Sequence, residues 1–357
     1  MKKLVSLTLA LLLALCMMLP AMAEEPPTVR CGVLSMLNVT EEEMVNYKKA
    51  RNLIGQQLEA EGVVNNAIRP FLDEDMPKMN FEIVYFDTLD AMLMALNAGD
   101  VDEISIYQAV AEYLTHSDPG LVQLVTFNEN VDGNAFASLA RRNLLSNDFA
   151  FMFMEDNEAL RDEFDAALQS ITDAEMEKLV QDHITAAING EEISPIEMPV
   201  IEGAETIKVA VTGSLPPMDY VAADGSPAGF NTALLAEISR RIGKNIELVV
   251  VDSVGRAAAL ASGNVDAVFW TRTCDESNEQ AGLSEEERAK WREEHHKELS
   301  EEELETMGEV KKLVKLSDYG STDMPEGTII TAPYFHDIIV PVTTQARLDE
   351  GAARANQ

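Results

Sequence analysis

Cations are scarce in this chain. Its 357 residues carry 27 Lys and Arg against 62 Asp and Glu, a formal charge of −35. Like charge repels at long range, which excludes nucleic acid and an anionic membrane surface as electrostatic partners. Cysteine is scarcer still, and three residues exclude a disulfide-stapled miniprotein. Beyond Leu19 no run approaches the ~20 apolar residues of a membrane span. Also missing are a Gly-x-Gly-x-x-Gly after a strand, a Walker loop, HExxH, a CxxC pair and a Gly-x-Ser-x-Gly elbow. None of the histidines (His116, His183, His295, His296 and His336) is paired with a nucleophile by local motif. No catalytic residue, cofactor or metal is predicted. What remains, 46% hydrophobic and 25% charged, is a globular protein long enough for two domains.

The N-terminus differs in kind. Lys2 and Lys3 precede an apolar run from Leu4 to Leu19, and Pro20 precedes Ala21-Met22-Ala23. This is a basic region, an apolar region and a small-x-small cleavage site, so residues 1–23 read as a signal peptide cut after Ala23. The same stretch can be read as an uncleaved anchor, or as a lipoprotein signal around Cys16, although Leu15 is not the small residue a lipobox needs. The predicted mature chain is periplasmic or secreted, without a membrane span. Export makes a bond between Cys31 and Cys274 chemically open; both lie in or beside apolar strand-like runs, which suits two separate buried thiols.

Periodicity divides the rest into two modules, 28–190 and 206–345, joined by a linker at 191–205 that holds two prolines and has no helical period. In the first, strands at 28–34, 81–86 and 101–107 alternate with helices at about 41–60 and 89–97. Phe149 to Met154 is a further apolar run, and Asn157 is placed to cap a helix carrying Leu160, Phe164, Ala167, Leu168 and Ile171. The second repeats the order: strands at 207–211, 246–251 and 265–270, helices at 229–241 and 254–262. Such β-α-β-α-β order implies a parallel sheet with helices on its faces. The copies also match in letters: Ala95-Leu96-Asn97-Ala98-Gly99-Asp100-Val101-Asp102 stands beside Ala259-Leu260-Ala261-Ser262-Gly263-Asn264-Val265-Asp266. A tandem duplication accounts for both. An acidic helical insertion at about 275–312 interrupts the second module. Ser284 and Ser300 begin capping boxes there. His295 and His296 are adjacent and point to different sides of a helix, which disfavours a shared metal ion.

One segment reads as a binding loop. Leu215-Pro216-Pro217-Met218-Asp219-Tyr220 follows a strand at its carboxyl end, where parallel α/β sheets place ligands. Gly229-Phe230-Asn231 opens the next helix. From Ile207 through the helix at 229–241, IELVVVD and ALASGNVDAVF, the chain resembles the extracytoplasmic solute-binding proteins of family 3, the amino-acid receptors of ABC importers. The first module resembles them more faintly, through TVRCGVL and LNAGDVD. The resemblance implies an α/β fold of two periplasmic-binding-protein-like βαβαβ modules in tandem. It implies a small polar solute as ligand, an amino acid or related compound, and a membrane transporter as partner. It places Met218, Asp219, Tyr220, Thr271, Arg272, Thr273 and Tyr334 at the ligand, with Arg272 clamping a carboxylate through its two-pronged guanidinium and Asp219 contacting an ammonium. A structural ion pair for Arg272, a turn-holding carboxylate for Asp219 and a core position for Tyr334 are the competing readings. There are departures. Leu215 and Met218 stand where the family has aromatic residues, Asn231 replaces its Asp, and the slot of its Arg falls near Asn278. Neither module alone holds both lobes of such a receptor, so either the two face each other over one cleft or each is a one-lobe remnant with altered binding. Two other functions are compatible: a dehydratase- or lyase-type enzyme using Asp219, Asp266 or His336, and an interaction protein working through the acidic helices.

Overall fold

The computed structural model describes residues 28–37, 39–60, 80–124, 136, 140, 146–191, 193, 196–222, 224–252, 254–273, 299–314 and 324–355. The predicted signal peptide, Cys274, Asn278, Ser284, His295 and His296 lie outside the described residues.

The first module begins with β1 (Thr28–Leu34), α1 (Glu41–Ala60), β2 (Asn80–Phe86), α2 (Leu89–Ala98) and β3 (Glu103–Tyr107). It continues through α3 (Gln108–Ser117), β4 (Leu121–Gln123), β5 (Ser146–Met154), α4 (Glu158–Ser170) and α5 (Asp173–Val180). The second contains β6 (Thr206–Val211), a small antiparallel sheet of β7 (Ser214–Leu215), β8 (Asp219–Val221) and β9 (Pro227–Ala228), then α6 (Phe230–Ile242) and β10 (Asn245–Val250). It ends with α7 (Gly255–Ala261), β11 (Ala267–Thr273), α8 (Glu301–Leu313), β12 (Thr328–Ile330), β13 (Phe335–Thr344) and α9 (Gln345–Ala355). The α/β class and both βαβαβ units are as the periodicity predicts. Among the described residues no helix is long and apolar enough to cross a membrane.

Each unit forms a parallel triplet with its first strand in the middle, β2-β1-β3 and β10-β6-β11. The matching letters serve the same purpose in both. Gly99 (φ 84°) and Gly263 (φ 71°) end α2 and α7 in the left-handed region open to glycine. Just before each following strand, Asp102 and Asp266 accept a hydrogen bond from the backbone N–H of Arg30 and Lys208, both at 2.8 Å. In return each donates its own N–H to the carbonyl of the same residue, again at 2.8 Å. The acid ties the start of the third strand to the central one. Asp266 is thereby a sheet-fixing residue in this structure.

Two strands cross the division read from the sequence. β5, from the first module, runs antiparallel to β11, giving β10-β6-β11-β5-β12. β13, from the second, runs antiparallel to β3, giving β2-β1-β3-β13-β4. The two crossing strands pair with each other over 146–149 and 335–338 and fuse both halves into one ten-stranded sheet. Phe149, Ala150, Phe151, Met152 and Phe153 are fully buried, as a strand between two others must be. One core cluster, containing Val33, Ile106, Phe149, Val209 and Phe230, spans both modules.

Three details bear on the sequence reading. Asn157 makes no side-chain capping bond to α4. Ser300 does form its capping box with Glu303, but α8 is no freely solvated helix: Val310 is fully buried, and Thr306 hydrogen-bonds Gln57 of α1. Cys31 is a buried free thiol that donates to Glu103 Oε1 at 2.9 Å.

Candidate functional site

The carboxyl ends of β3 and β11 approach each other across the β5–β13 pair. Tyr107 ends β3 opposite Ile339, while Arg272 of β11 lies opposite Phe149, itself opposite Phe335. The converging side chains are large. Phe149 stacks on Trp270 with ring centroids 3.8 Å apart, and Tyr107 meets Phe149 edge-on at 4.7 Å. Phe335 packs against Trp270 at 5.6 Å and Phe230 at 5.2 Å. The junction between the modules is thus filled by rings, against the open cleft that is one of the two arrangements read from the sequence. Three polar atoms are buried in it without a hydrogen-bond partner among the described residues: the Tyr107 hydroxyl, the Trp270 indole N–H and the Thr271 hydroxyl. Leaving such groups unsatisfied costs roughly 1–3 kcal/mol each.

Arg272 is the charged member. Its side chain is 5% exposed and turns to α1 of the other module, where it forms an ion pair with Glu43. Nη2 is 3.4 Å from Glu43 Oε2, and Nη1 donates to Asn147 Oδ1 at 3.3 Å. Thr273 pairs with Asp148 in the ladder.

Trp270 has a φ of 58°, and the β11–β5 register shifts between Val268 and Thr271. A non-glycine residue held there costs of order 1–3 kcal/mol and needs support. Tyr334 and Arg256 supply it. The Tyr334 hydroxyl accepts from Trp270 N–H at 3.0 Å, and the fully buried Arg256 guanidinium donates to the carbonyls of Phe269 at 3.1 Å and Trp270 at 3.4 Å. Burial holds the Tyr334 hydroxyl well above its ordinary pKa, opposed by the Trp270 bond and the charge of Arg256.

Met218, Asp219 and Tyr220 lie nearby on another wall. Pro216 and Pro217 are joined by a cis peptide bond, and the carbonyls of Pro217 and Met218 accept from the first N–H groups of α6 at 3.1 and 2.8 Å. That approach requires Gly229, at φ 101°, because a Cβ there would stand 2.4 Å from Met218 O. The Asp219 carboxylate accepts from Thr212 N at 2.8 Å, Thr212 Oγ1 at 2.8 Å and Gly213 N at 2.6 Å. Burial pushes its pKa up to about 7, against those bonds and the charge of Arg256. Asp219 and Tyr220 line a pocket of about 290 Å³ whose walls include Val211, Ile246, Leu248 and Val250.

The residues singled out from sequence therefore fall into two neighbouring groups. Thr271, Arg272 and Tyr334 belong to the junction, Asp219 and Tyr220 to the pocket, and Met218 is fully buried beneath the loop. Sequence reasoning missed Glu43, Tyr107, Asn147, Trp270 and Arg256. Only Arg256, a cation inside the small apolar helix GRAAALA, carries a local signal. Among the described residues no group of three or more His, Cys, Asp or Glu could hold a metal ion.

No curated protein sequence matches this chain. Several solved structures overlap it at low similarity. A zinc-bound ligand-binding component of an ABC-type import system from Staphylococcus aureus is 10% identical, with 92% of this chain and 70% of that one covered and a TM-score of 0.36. The BvgS VFT2 domain of Bordetella pertussis is 12% identical, with coverage of 93% and 86% and a TM-score of 0.37. The alkanesulfonate-binding protein SsuA of Xanthomonas axonopodis pv. citri, bound to MOPS, is 11% identical, with coverage of 94% and 93% and a TM-score of 0.30. The sequence match is local and falls on the second module: residues 207–285 are similar to the bacterial extracellular solute-binding proteins, family 3.

Proposed function

We propose that the protein is an exported, non-catalytic solute-binding protein that captures a small polar solute, an amino acid or related compound, for an ABC importer. One observation carries the reading: the exchanged strands bring the carboxyl ends of both parallel triplets to one junction, where Arg272 is buried with three polar groups that have no hydrogen-bond partner among the described residues. The solute-binding family matched by the second module and the predicted signal peptide support it. On this reading the modules are a tandem duplication, and 28–190 and 206–345 supply one wall of the site each. Access requires the rings to part by hinge motion about β5 and β13. A solute works by stabilising one of two pre-existing arrangements. The test is a thermal-shift screen against amino acids, small peptides and organic acids. A ligand at 100 times its dissociation constant adds ~2.7 kcal/mol of stability; no shift at millimolar concentration overturns the reading.

A second reading has one observation behind it. Asp219 is a pocket carboxyl with a pKa of about 7, as a general acid or base requires. Its oxygens already accept from Thr212 and Gly213, which favours a loop-holding role.

A further inference from the structure

Arg272 and Glu43 are 229 positions apart and lie in different modules, yet both side chains are almost wholly withdrawn from water, at 5% and 6% exposure. Glu43 presents both carboxylate oxygens to the two prongs of the guanidinium, and Asn147 Oδ1 accepts beside it. This is the geometry a bound carboxylate would adopt. A buried ion pair is poor evidence of stabilisation, because desolvating both ions offsets their attraction. Holding the fold is therefore not a sufficient account of it, and its place between the two modules suits a contact that closes the junction.

We propose that Glu43 is a built-in competitor for Arg272, a carboxylate of the chain itself that a solute carboxylate must replace to enter the junction. The ligand in this inference rests on the receptor reading above, whereas the closing contact does not. Exchange conserves the arginine's pairing: the entering carboxylate takes over the fork, and no bare guanidinium is left buried. Glu43 has somewhere to go. It lies in the first turn of α1 beside the exposed Glu41 and Glu42, and its backbone N–H is held by Thr40 Oγ1 at 3.1 Å, whatever the side chain does. A carboxylate in that turn stays favourably placed against the helix dipole after release. The competitor thereby sets specificity. Solutes without a carboxylate cannot repay Arg272 for losing Glu43, and weak carboxylates are turned away.

The test compares wild type with Glu43→Gln. Trp270 stacks in the same junction, so acrylamide quenching of its fluorescence, read in a Trp291→Phe background, reports opening without any solute. The probes are L-amino acids, acetate and the matching amino-acid amides, titrated calorimetrically. In Glu43→Gln, quenching of Trp270 should rise at least threefold. Carboxylate probes should bind at least tenfold more tightly than to wild type, and the amides should gain nothing. The reversed pair Glu43→Arg with Arg272→Glu should restore protection of Trp270 and abolish carboxylate binding; it carries the comparison if Glu43→Gln fails to fold. Unchanged quenching with equal affinities overturns the competitor role while leaving the receptor reading standing. An opened junction in Glu43→Gln with no probe bound by either protein overturns the receptor reading, and the competitor with it.

Discussion

A single buried carboxylate can be told from its neighbours by what surrounds it. Glu103 is paired with Lys48 and also accepts from Cys31, all inside the first module. Burial disfavours the Lys48 ammonium, yet Glu103, with Cys31 beside it, offsets this and the lysine stays above its ordinary pKa. Burial first, then the Glu103 charge, pushes the Cys31 thiol up, so it is not a reactive thiolate. Replacing Lys48 with Met strands Glu103 in the core and should cost about 3–5 kcal/mol, whereas Lys48→Met with Glu103→Leu should recover most of that loss. Urea unfolding of both variants checks it. Asp219 behaves in the opposite sense to a paired surface acid. Its pKa of about 7 lies above the unfolded value near 3.8, so the folded state holds the proton more tightly. The stability it contributes is complete below the unfolded value and is lost as pH rises through about 7. At roughly 1.4 kcal/mol per unit, the loss is on the order of a few kcal/mol. Asp219→Asn should flatten that fall between pH 4 and pH 8, measured by denaturation midpoints across the range. An unaltered slope would show that another group sets it.

At the scale of elements, one glycine is demanded by packing and another only by conformation. Gly229 combines a φ of 101° with backbone where its Cβ would sit, while Gly263 at φ 71° faces nothing within 4 Å. Gly263→Ala should cost about 1 kcal/mol from backbone strain alone. Gly229→Ala adds a clash that only movement of the Pro217–Met218 loop can relieve, worth about 1–3 kcal/mol more. Equal melting temperatures for the two variants would contradict the clash. Both glycines are legible in the sequence as element boundaries, because helix–Gly–strand junctions and β-branched runs are local signals. The strands and helices of both βαβαβ units fall within three residues of where periodicity puts them. The site is less legible. Asp219 and Tyr220 lie in β8, in a segment that announces itself through Pro216, Pro217 and Gly229. The partner of Arg272 is 229 positions away, and nothing in the letters around Glu43 separates it from Glu41 and Glu42. The left-handed backbone of Trp270 is set by a register shift that no local pattern records.

The largest illegible feature is at the scale of the whole molecule. An apolar run such as Phe149–Met154 says that a strand is buried between two others, but not between which two. Here the answer is the other module's sheet, and β13 makes the reciprocal choice. Each parallel triplet therefore borrows its fourth strand from the other half of the chain, so neither half should survive dissection. A fragment ending at residue 190 would lack β13 and expose the open edge of β3, whose five residues are all buried in the intact chain. A fragment starting at residue 206 would lack β5 and bare the edge of β11, where Val268, Phe269 and Trp270 are at most 1% exposed. Unpaired apolar edges of this kind associate with other chains. Each fragment made alone should be aggregated or poorly ordered by size exclusion and circular dichroism. The two co-expressed should reassemble through reciprocal insertion of β5 and β13 and restore a cooperative melt. Two fragments that each fold as soluble monomers would mean that the modules are self-sufficient, and the shared sheet would lose its place as the link between them.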